Sequence, residues 1–332
     1  MATDVFRASN SKISTWLKCR FAYYLKYVEK LRRKRKARPL QFGSMVHDML
    51  QAYIEGDDPF DVLAEYEKKQ GKLFRTMVEE YGNIVDDVRI IMTEYFKHYD
   101  EKSLVYVRHG GKGAEHKFDI ELKNGVHLVG KIDGVAKTPD KLKWIVEHKT
   151  FGSLPNEDHR WRNLQSAIYI RVNELVGWDP VDGILWDYIR SKAPTAPKVL
   201  KSGKMSQRGI DSLPLKVLET LKLEGLDPKR FATLIKSAES NRNFYFKRTK
   251  NPKKKRVIDA LWGDLLETTT EMRELHGKVK GKTIARHCDW CEFEPICRAQ
   301  LQGSDVDYIK EKEYAIDKED HSQDWEGAVT NE

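Results

Sequence analysis

The chain lacks long apolar runs. No segment approaches the ~20 consecutive apolar residues that a membrane-spanning helix needs. Residues 1–15 contain no apolar stretch of the signal-peptide type. With 40% hydrophobic and 33% charged residues, the 332-residue chain has the composition of a soluble globular protein. We therefore expect a cytoplasmic protein without a membrane partner.

A complete nucleotide-binding loop is also missing. Residues 277–283, with the sequence GKVKGKT, are one residue short of the GxxxxGK[ST] pattern that binds phosphate. The segment also follows a predicted helix rather than a strand, which is the wrong context for such a loop. We therefore expect no ATP-driven motor activity from this chain.

Cysteine is scarce, and the chain contains only Cys19, Cys288, Cys291 and Cys297. Disulfide bonds are rare in the cytoplasm, so metal binding is favoured over a disulfide pair. The last three cysteines follow a Cys-x2-Cys-x5-Cys pattern. Four thiolates can hold either a Zn²⁺ ion or a [4Fe–4S] cluster. Zinc sites usually contain two close cysteine pairs, whereas this chain has one distant cysteine and a compact triple. The spacing alone leaves a cluster, a zinc site and unrelated free thiols as alternatives.

Positive charge is in excess but unevenly distributed. The net charge is +8, and residues 303–332 carry ten acidic and three basic residues, which leaves +15 for the remainder. Surfaces rich in Lys and Arg bind nucleic-acid backbones because binding releases condensed counterions. The alternative is a charged, solvated surface without a ligand, and net charge alone does not separate the two.

Two basic runs are candidate DNA contacts. Seven of the nine residues 30–38 are basic, and a second cluster spans residues 247–256 beside the aromatic residues of a predicted strand. Cations next to aromatic side chains suit single-stranded nucleic acid, although a solvated loop is the alternative for both runs. The DNA-binding candidates are Arg32, Arg33, Lys34, Arg35, Lys247 and Arg248.

Hydrophobic periodicity predicts a helical N-terminal part followed by a region of mixed strands and helices. Helical spacing of apolar residues predicts helices over residues 14–33, 41–55, 60–81, 84–99, 160–176, 213–224, 228–238 and 257–276. A period near two predicts strands over residues 104–108, 115–122, 126–135, 144–146, 181–189 and 244–250. We predict four units: a helical part (1–100), a core (101–260), a helix and cysteine region (261–302), and a flexible acidic tail (303–332).

The most informative stretch is residues 126–150, which has the pattern of two strands joined by a turn. If Lys137 faces Lys143 across this turn, Asp133 lies opposite Glu147, with the two Cβ atoms ~5 Å apart. Two like charges in such a position destabilise a sheet unless a cation lies between them. The hairpin therefore either avoids this register, as a surface hairpin with charged residues on its solvated face, or holds a cation between the two acids. Lys149 favours the cation, because it completes a recognisable set with Asp133 and Glu147.

Asp133, followed by Glu147-His148-Lys149, resembles the active-site signature of the PD-(D/E)xK nuclease superfamily. Within that superfamily, three further patterns match RecB-type nucleases in order: Gly43-x-x-x-His47, Glu115 ahead of Gly130-x-x-Asp133, and Gln165-x-x-x-Tyr169. Cys19 with the C-terminal cysteine triple resembles the iron–sulfur version of this group. That version includes the CRISPR-associated exonucleases and the AddB-type nuclease domain.

The resemblance implies an α/β fold with a mixed central sheet flanked by helices. It implies that Mg²⁺ or Mn²⁺ is held by His47, Asp133, Glu147 and the backbone carbonyl of His148. Lys149 would position the attacking water or neutralise developing charge, and Glu115 would be a secondary site residue. Gln165 and Tyr169 would contact the DNA, while the cluster would clasp the Cys19 helix to the C-terminal segment.

The function implied is a metal-dependent exonuclease. It would act on DNA ends, preferably single-stranded and in the 5′→3′ direction, in recombination, repair or phage DNA processing. A recombination or replication protein is an expected partner. The alternatives are a structure-specific endonuclease and a non-catalytic DNA-binding assembly protein of the same fold.

Overall fold

The computed structural model describes residues 5–35, 37–70, 82–202, 204–206, 208–318, 325 and 327–331. The N-terminal region is mainly helical, because its apolar residues recur at helical spacing. Its elements are β1 (Arg7–Ser9), α1 (Asn10–Lys18), α2 (Arg20–Tyr23), a π-helical turn (Tyr24–Val28), β2 (Leu31–Arg33), α3 (Arg38–Glu55), α4 (Pro59–Gln70) and α5 (Ile84–His98). Residues 71–81 of the helix predicted over 60–81 lie outside the described residues.

The region that follows contains the long strands. Its elements are β3 (Val105–Tyr106), β4 (Ala114–Glu121), β5 (His127–Lys137), β6 (Lys143–Phe151), α6 (Leu164–Leu175), β7 (Gly183–Arg190), α7 (Pro214–Leu223), α8 (Ala232–Ser240), α9 (Arg242–Tyr245) and β8 (Phe246–Pro252). The C-terminal elements are α10 (Lys255–Glu274), α11 (Glu294–Gln302), α12 (Val306–Glu313) and β9 (Tyr314–Ile316). Short 3₁₀ turns occupy Glu101–Ser103, Glu157–Arg162, Pro228–Phe231 and Arg286–Trp290.

Among the described residues, seven strands form one mixed sheet in the order β1-β5-β6-β7-β8, and β3 and β4 also pair with β5. The β1–β5 and β6–β7 pairs are parallel, whereas β4–β5, β5–β6 and β7–β8 are antiparallel. The parallel β6–β7 pair requires a crossover, which α6 provides. The prediction of a mixed sheet flanked by helices is confirmed.

Two hydrophobic clusters attach helices to this sheet. One packs α6 and α10 against β4, β5, β6 and β7, with Ile168, Leu265 and Ile120 among its buried members. The other packs α3 and α5 around Ile189 of β7 and Phe246 of β8. Within the described part of the chain, no helix is both long enough and apolar enough to span a bilayer.

The central hairpin has the predicted register. Lys137 pairs with Lys143, and the antiparallel ladder continues to Gly134 and Val146, where its recorded pairs end. Asp133 and Glu147 occupy the next position beyond that last pair. The prediction of the register is therefore confirmed, and the two acids lie where the strands stop pairing.

The N-terminal helix differs from its prediction over residues 14–33. It breaks at Cys19, whose backbone is extended with φ −160° and ψ 116°. The Phe21 amide instead donates to the carbonyl of Gly281, 3.0 Å away, so tertiary contact replaces a helical hydrogen bond. Residues 31–33 form β2 rather than helix, because they pair with β9.

The C-terminal segment also differs from the flexible tail predicted over residues 303–332. Residues 306–313 form α12, and residues 314–316 form β9, whose Tyr314 is buried. Val329 then forms a parallel bridge with Phe118 on the edge strand β4. Residues 319–324, 326 and 332 lie outside the described part of this segment.

We expect Gly183→Ala to destabilise the protein. A Cβ atom at Gly183 would lie 2.3 Å from the carbonyl oxygen of Asn251 on β8, so the strands would have to shift. Overpacking of this kind costs about 1–3 kcal/mol of the free energy of unfolding. The control is Gly263→Ala in the exposed interior of α10, where a Cβ meets nothing within 4 Å. That variant should be unchanged or up to about 1 kcal/mol more stable. Urea denaturation measures both, and equal stability of the two variants would contradict the packing argument.

Candidate active site

The acidic site forms where β5 and β6 stop pairing. Beyond Gly134, the carboxylate of Asp133 accepts a hydrogen bond from the backbone N–H of His148, with Oδ2 and N 2.8 Å apart. This contact takes the place of a ladder bond and holds Asp133 beside the strand that carries Glu147 and Lys149. The sheet therefore brings these three predicted residues together.

Helix α3 brings His47 to the same place. Gly43, one turn earlier, allows the close approach, because a Cβ there would lie 3.2 Å from the Oγ1 atom of Thr150 on β6. Residues four apart share one face of a helix, so His47 also faces the sheet. Its Nδ1 atom lies 3.7 Å from Oδ2 of Asp133.

Glu115 on β4 joins His47 and Asp133. Potential ligand atoms of these three side chains all lie within 4.8 Å of one another, and no other set of three or more was found in the part of the chain that the structure describes. Glu115 has a backbone φ of +53°, which is uncommon for a residue with a side chain. Its carboxylate is paired with the ammonium group of Lys131. The sequence singled out Glu115 as secondary, and the structure places it among the ligand candidates.

Glu147 is adjacent to this set and almost fully buried, with 2% of its surface exposed. Its Oε1 atom lies 2.5 Å from Nζ of Lys149 and accepts a hydrogen bond of 2.8 Å from Nε2 of Gln165. Its Oε2 atom is buried without a hydrogen-bond partner among the residues that are described. Burial, and next the charge of Asp133, raise the pKa of Glu147 to about 7.

The other titratable groups match a cation site. Burial raises the pKa of Asp133. Burial and then His148 lower the pKa of His47 to about 4, so its imidazole is neutral at pH 7 and can act as a ligand. Burial opposes the charge on Lys149, but Glu147 outweighs it and raises the lysine pKa.

The donor set fits a hard divalent cation. Carboxylate oxygens and one neutral imidazole are ligands for Mg²⁺ or Mn²⁺. The buried, unpartnered Oε2 atom of Glu147 and the raised pKa values of two neighbouring acids are the costs that a bound cation would remove. The ligand set predicted from the sequence stays a prediction, and Glu115 is a further candidate beside His47 and Asp133.

Gln165 and Tyr169 serve the acidic site from α6. The amide of Gln165 donates to Glu147 and to the hydroxyl of Tyr169, at 2.8 and 2.9 Å. The Tyr169 hydroxyl donates to the backbone carbonyl of Lys131, 2.7 Å away, and the side chain is buried. These contacts connect α6 to the strands that carry the acidic site, whereas the predicted contacts of Gln165 and Tyr169 with DNA stay predictions.

The first basic run is paired with the C-terminal segment. Arg32 lies 3.1 Å from Asp317 and Arg33 lies 3.7 Å from Glu313 in ion pairs, and Lys34 donates to the carbonyl of Glu311 at 2.5 Å. Arg35 and Lys247 also interact with other residues of the chain. DNA binding by Arg32 or Arg33 would therefore require a phosphate to replace a carboxylate partner.

Arg248 differs from the prediction of a DNA contact. Its side chain is 17% exposed, and Nε lies 3.3 Å from Oδ1 of the fully buried Asp187. Its guanidinium also donates to the hydroxyls of Ser103 and Tyr95, at 2.7 and 3.0 Å. We therefore leave Arg248 out of the proposed DNA-binding set. The sequence does contain a signal for this contact. Asp187 is a single acidic residue in the otherwise apolar strand sequence GILWDYI, and this could have indicated a buried acid with a partner.

The four cysteines line one cavity of about 500 Å³. The Sγ atom of Cys19 accepts from the Thr283 amide at 3.5 Å, and the thiol of Cys288 donates to the Thr283 carbonyl at 3.8 Å. No three of the cysteine sulfurs lie within 4.8 Å of one another among the described residues. The structure therefore places all four cysteines around the same space but not at the mutual distances of a compact single-ion site.

One protein-family model, for the PD-(D/E)XK nuclease superfamily, matches residues 7–298. This match includes the whole acidic site and all four cysteines. A search among curated proteins finds no match.

We expect the affinity for Mn²⁺ to fall as pH drops below about 7. The metal binds the ionised carboxylate, and the raised pKa of Glu147 means that a proton competes in this range. One competing proton changes affinity by up to about tenfold per pH unit below the pKa and by little above it. Isothermal titration calorimetry between about pH 6 and pH 8 measures this. Glu147→Gln should bind more weakly and with a flatter pH profile, and an unaltered slope in that variant would contradict the assignment.

Proposed function

Since this chain belongs to the PD-(D/E)XK nuclease superfamily, we propose that it is a metal-dependent deoxyribonuclease. The observation that carries the proposal is the buried Glu147 carboxylate, with one unpartnered oxygen, between Asp133 and Lys149. Without a cation this arrangement is costly, because it concentrates negative charge in a buried site. A nuclease of this superfamily uses such a site to hold its divalent metal.

The proposed ligands for Mg²⁺ or Mn²⁺ are His47, Asp133, Glu147 and the backbone carbonyl of His148, with Glu115 as a further candidate. When bound, the metal would lower the pKa of a coordinated water and stabilise negative charge on the phosphate. The single neutral imidazole favours Mn²⁺ over Mg²⁺. Carboxylates from three different strands and an imidazole from α3 would together fix the ion at the end of the sheet.

Lys149 is the proposed catalytic cation. Its side chain is 39% exposed, so the ammonium group can reach substrate while it contacts Glu147. It would orient the attacking water or offset the charge that develops on the phosphate. Gln165 would hold Glu147 in its ligand orientation, and Tyr169 would fix the carbonyl of Lys131 on the neighbouring strand.

We further propose an exonuclease of the RecB type that acts on DNA ends, prefers single strands and proceeds 5′→3′. The support for this subgroup is the approach of α3, which places His47 beside Asp133, and the contacts of Gln165 and Tyr169 with the same site. The positive charge outside the acidic C-terminal segment favours a polyanionic substrate. Recombination, repair or phage DNA processing is the proposed setting.

We expect the protein to degrade linear single-stranded DNA with Mg²⁺ or Mn²⁺. Glu147→Ala and Lys149→Ala should each lower the rate by a factor on the order of 10² or more, because each removes a group from the reacting centre. An assay with oligonucleotides labelled at either the 5′ or the 3′ end measures both the rate and the direction.

The matched control for this assay is Glu239→Gln, which changes an exposed acid on α8 and should cleave at the wild-type rate. Cleavage of a covalently closed single-stranded circle would instead indicate an endonuclease. Tight DNA binding without cleavage, unaffected by either active-site substitution, would indicate a non-catalytic binding protein.

For the cysteine cavity, we propose a [4Fe–4S] cluster held by Cys19, Cys288, Cys291 and Cys297. A single zinc ion, with Zn–S bonds of about 2.3 Å, holds its thiolates in a compact tetrahedron. No three of the sulfurs form such a compact group among the described residues, and the support for the cluster is that all four cysteines line the same cavity. The group would act as a structural clasp, because Cys19 precedes α2 and the other three cysteines lie near the C-terminus.

We expect iron and acid-labile sulfide in protein purified without oxygen, at about four of each per chain. Cys19→Ser should lower the iron content and the melting temperature together, since it removes the only ligand from the N-terminal side. Elemental analysis, visible absorption and thermal denaturation measure these changes. One zinc per chain without iron would reject the cluster in favour of a zinc site.

A further inference from the structure

Three polar residues form a row across the sheet beneath the acidic site. His148 on β6 is in register with Asp187 on β7, and Asp187 is in register with Arg248 on β8. Successive side chains of a strand point to opposite faces, so His148 faces away from its neighbours Glu147 and Lys149. The row therefore supports the catalytic strand from its other face.

The row is buried and closely paired. Asp187 is fully buried, and its Oδ2 atom lies 3.1 Å from Nδ1 of His148, while its Oδ1 atom faces Nε of Arg248 at 3.3 Å. The hydroxyl of Tyr95, on α5, donates to the same carboxylate. Burial alone would raise the pKa of Asp187, but Arg248 and His148 hold it below its ordinary value, so the group is a carboxylate.

The imidazole of His148 is held at both nitrogens. Nδ1 faces Asp187, and Nε2 lies 3.4 Å from the hydroxyl of Tyr106. The ring also meets His47 edge to face, with centroids 6.3 Å apart. Its backbone N–H is the donor that holds Asp133. His148 therefore meets His47 with its ring, holds Asp133 with its backbone N–H and directly follows Glu147 in the chain.

We propose that Asp187 is a positioning residue that acts through His148 to hold the metal-binding groups in place. The inference rests on the proposed metal-dependent function, because it assigns the support of that same site. The carboxylate fixes the ring, and the ring fixes the backbone that lies between Glu147 and Lys149 and donates to Asp133. Groups that support metal ligands in this way typically change metal affinity or activity by 10–100-fold.

The test measures Mn²⁺ binding to the free protein by electron paramagnetic resonance, without DNA and without turnover. Asp187→Asn should weaken binding by about tenfold or more. An amide has one acceptor oxygen where the carboxylate has two, and it carries no negative charge, so it cannot offer a separate acceptor oxygen to both His148 and Arg248. Glu94→Gln is the matched control. Glu94 is also a buried acid paired with an arginine, Arg242, at 2.6 Å, but it lies on α5 outside the row.

A double-mutant cycle separates positioning from general destabilisation. His148→Phe keeps a planar aromatic ring, although a larger one, and removes both of the polar contacts of the imidazole. If Asp187 acts through His148, Asp187→Asn should cause almost no further loss of Mn²⁺ affinity in the His148→Phe background. Glu94→Gln should lower the melting temperature but leave Mn²⁺ affinity unchanged. Should Asp187→Asn fail to fold, Tyr106→Phe tests the other contact of the ring and should weaken binding a few-fold.

Wild-type Mn²⁺ affinity in Asp187→Asn, or additive losses in the double variant, would overturn the positioning role while leaving the proposed nuclease intact. An equal loss of affinity in Glu94→Gln would show that any buried acid has this effect and would also overturn it. A wild-type protein that binds no Mn²⁺ would reject the metal-dependent function, and the positioning role with it.

Discussion

The concentration of negative charge at the end of the β5–β6 ladder is the constraint on which the rest of the site depends. Asp133, Glu147 and Glu115 approach one another in a place where burial removes most of the screening that water would supply. A fold can tolerate this only with compensating donors or cations. The residues around the β5–β6 ladder supply most of these donors and cations.

The compensation is nearly complete but does not reach the Oε2 atom of Glu147. Lys131 pairs with Glu115, Lys149 pairs with Glu147, and the His148 amide donates to Asp133. The buried Oε2 atom of Glu147 has no donor in the part of the chain that is described. The site therefore pairs most of its acidic groups with donors of the protein and leaves a buried carboxylate oxygen of Glu147 that a cation could bind.

Features set by local sequence could be predicted, whereas those set by distant partners could not. The alternating pattern and short turn of the hairpin determine its register, so the proximity of Asp133 and Glu147 follows from adjacent residues. At the helix break at Cys19, the Phe21 amide donates to the carbonyl of Gly281, which is distant in sequence. The residues around Cys19 therefore do not predict the break. Strand β2 likewise lies in a basic run that resembles a loop until its partner β9 is known. The hydrogen bond from Tyr95 on α5 to Asp187 could not be predicted either, because the sequence of the strand does not show which helix packs on it.

The close packing of α3 against β6 explains why the Gly43-x-x-x-His47 pattern begins with a glycine. The side chains between a helix and a sheet limit how closely the two can pack. At Gly43 there is only a hydrogen atom, whereas a methyl group would lie close to the side chain of Thr150. Gly43 and His47 therefore act together. The glycine sets the distance between α3 and the sheet, and that distance lets the histidine reach the acid. A search for related sequences that required only the histidine would also find helices that pack too far from the sheet for the histidine to reach the acid.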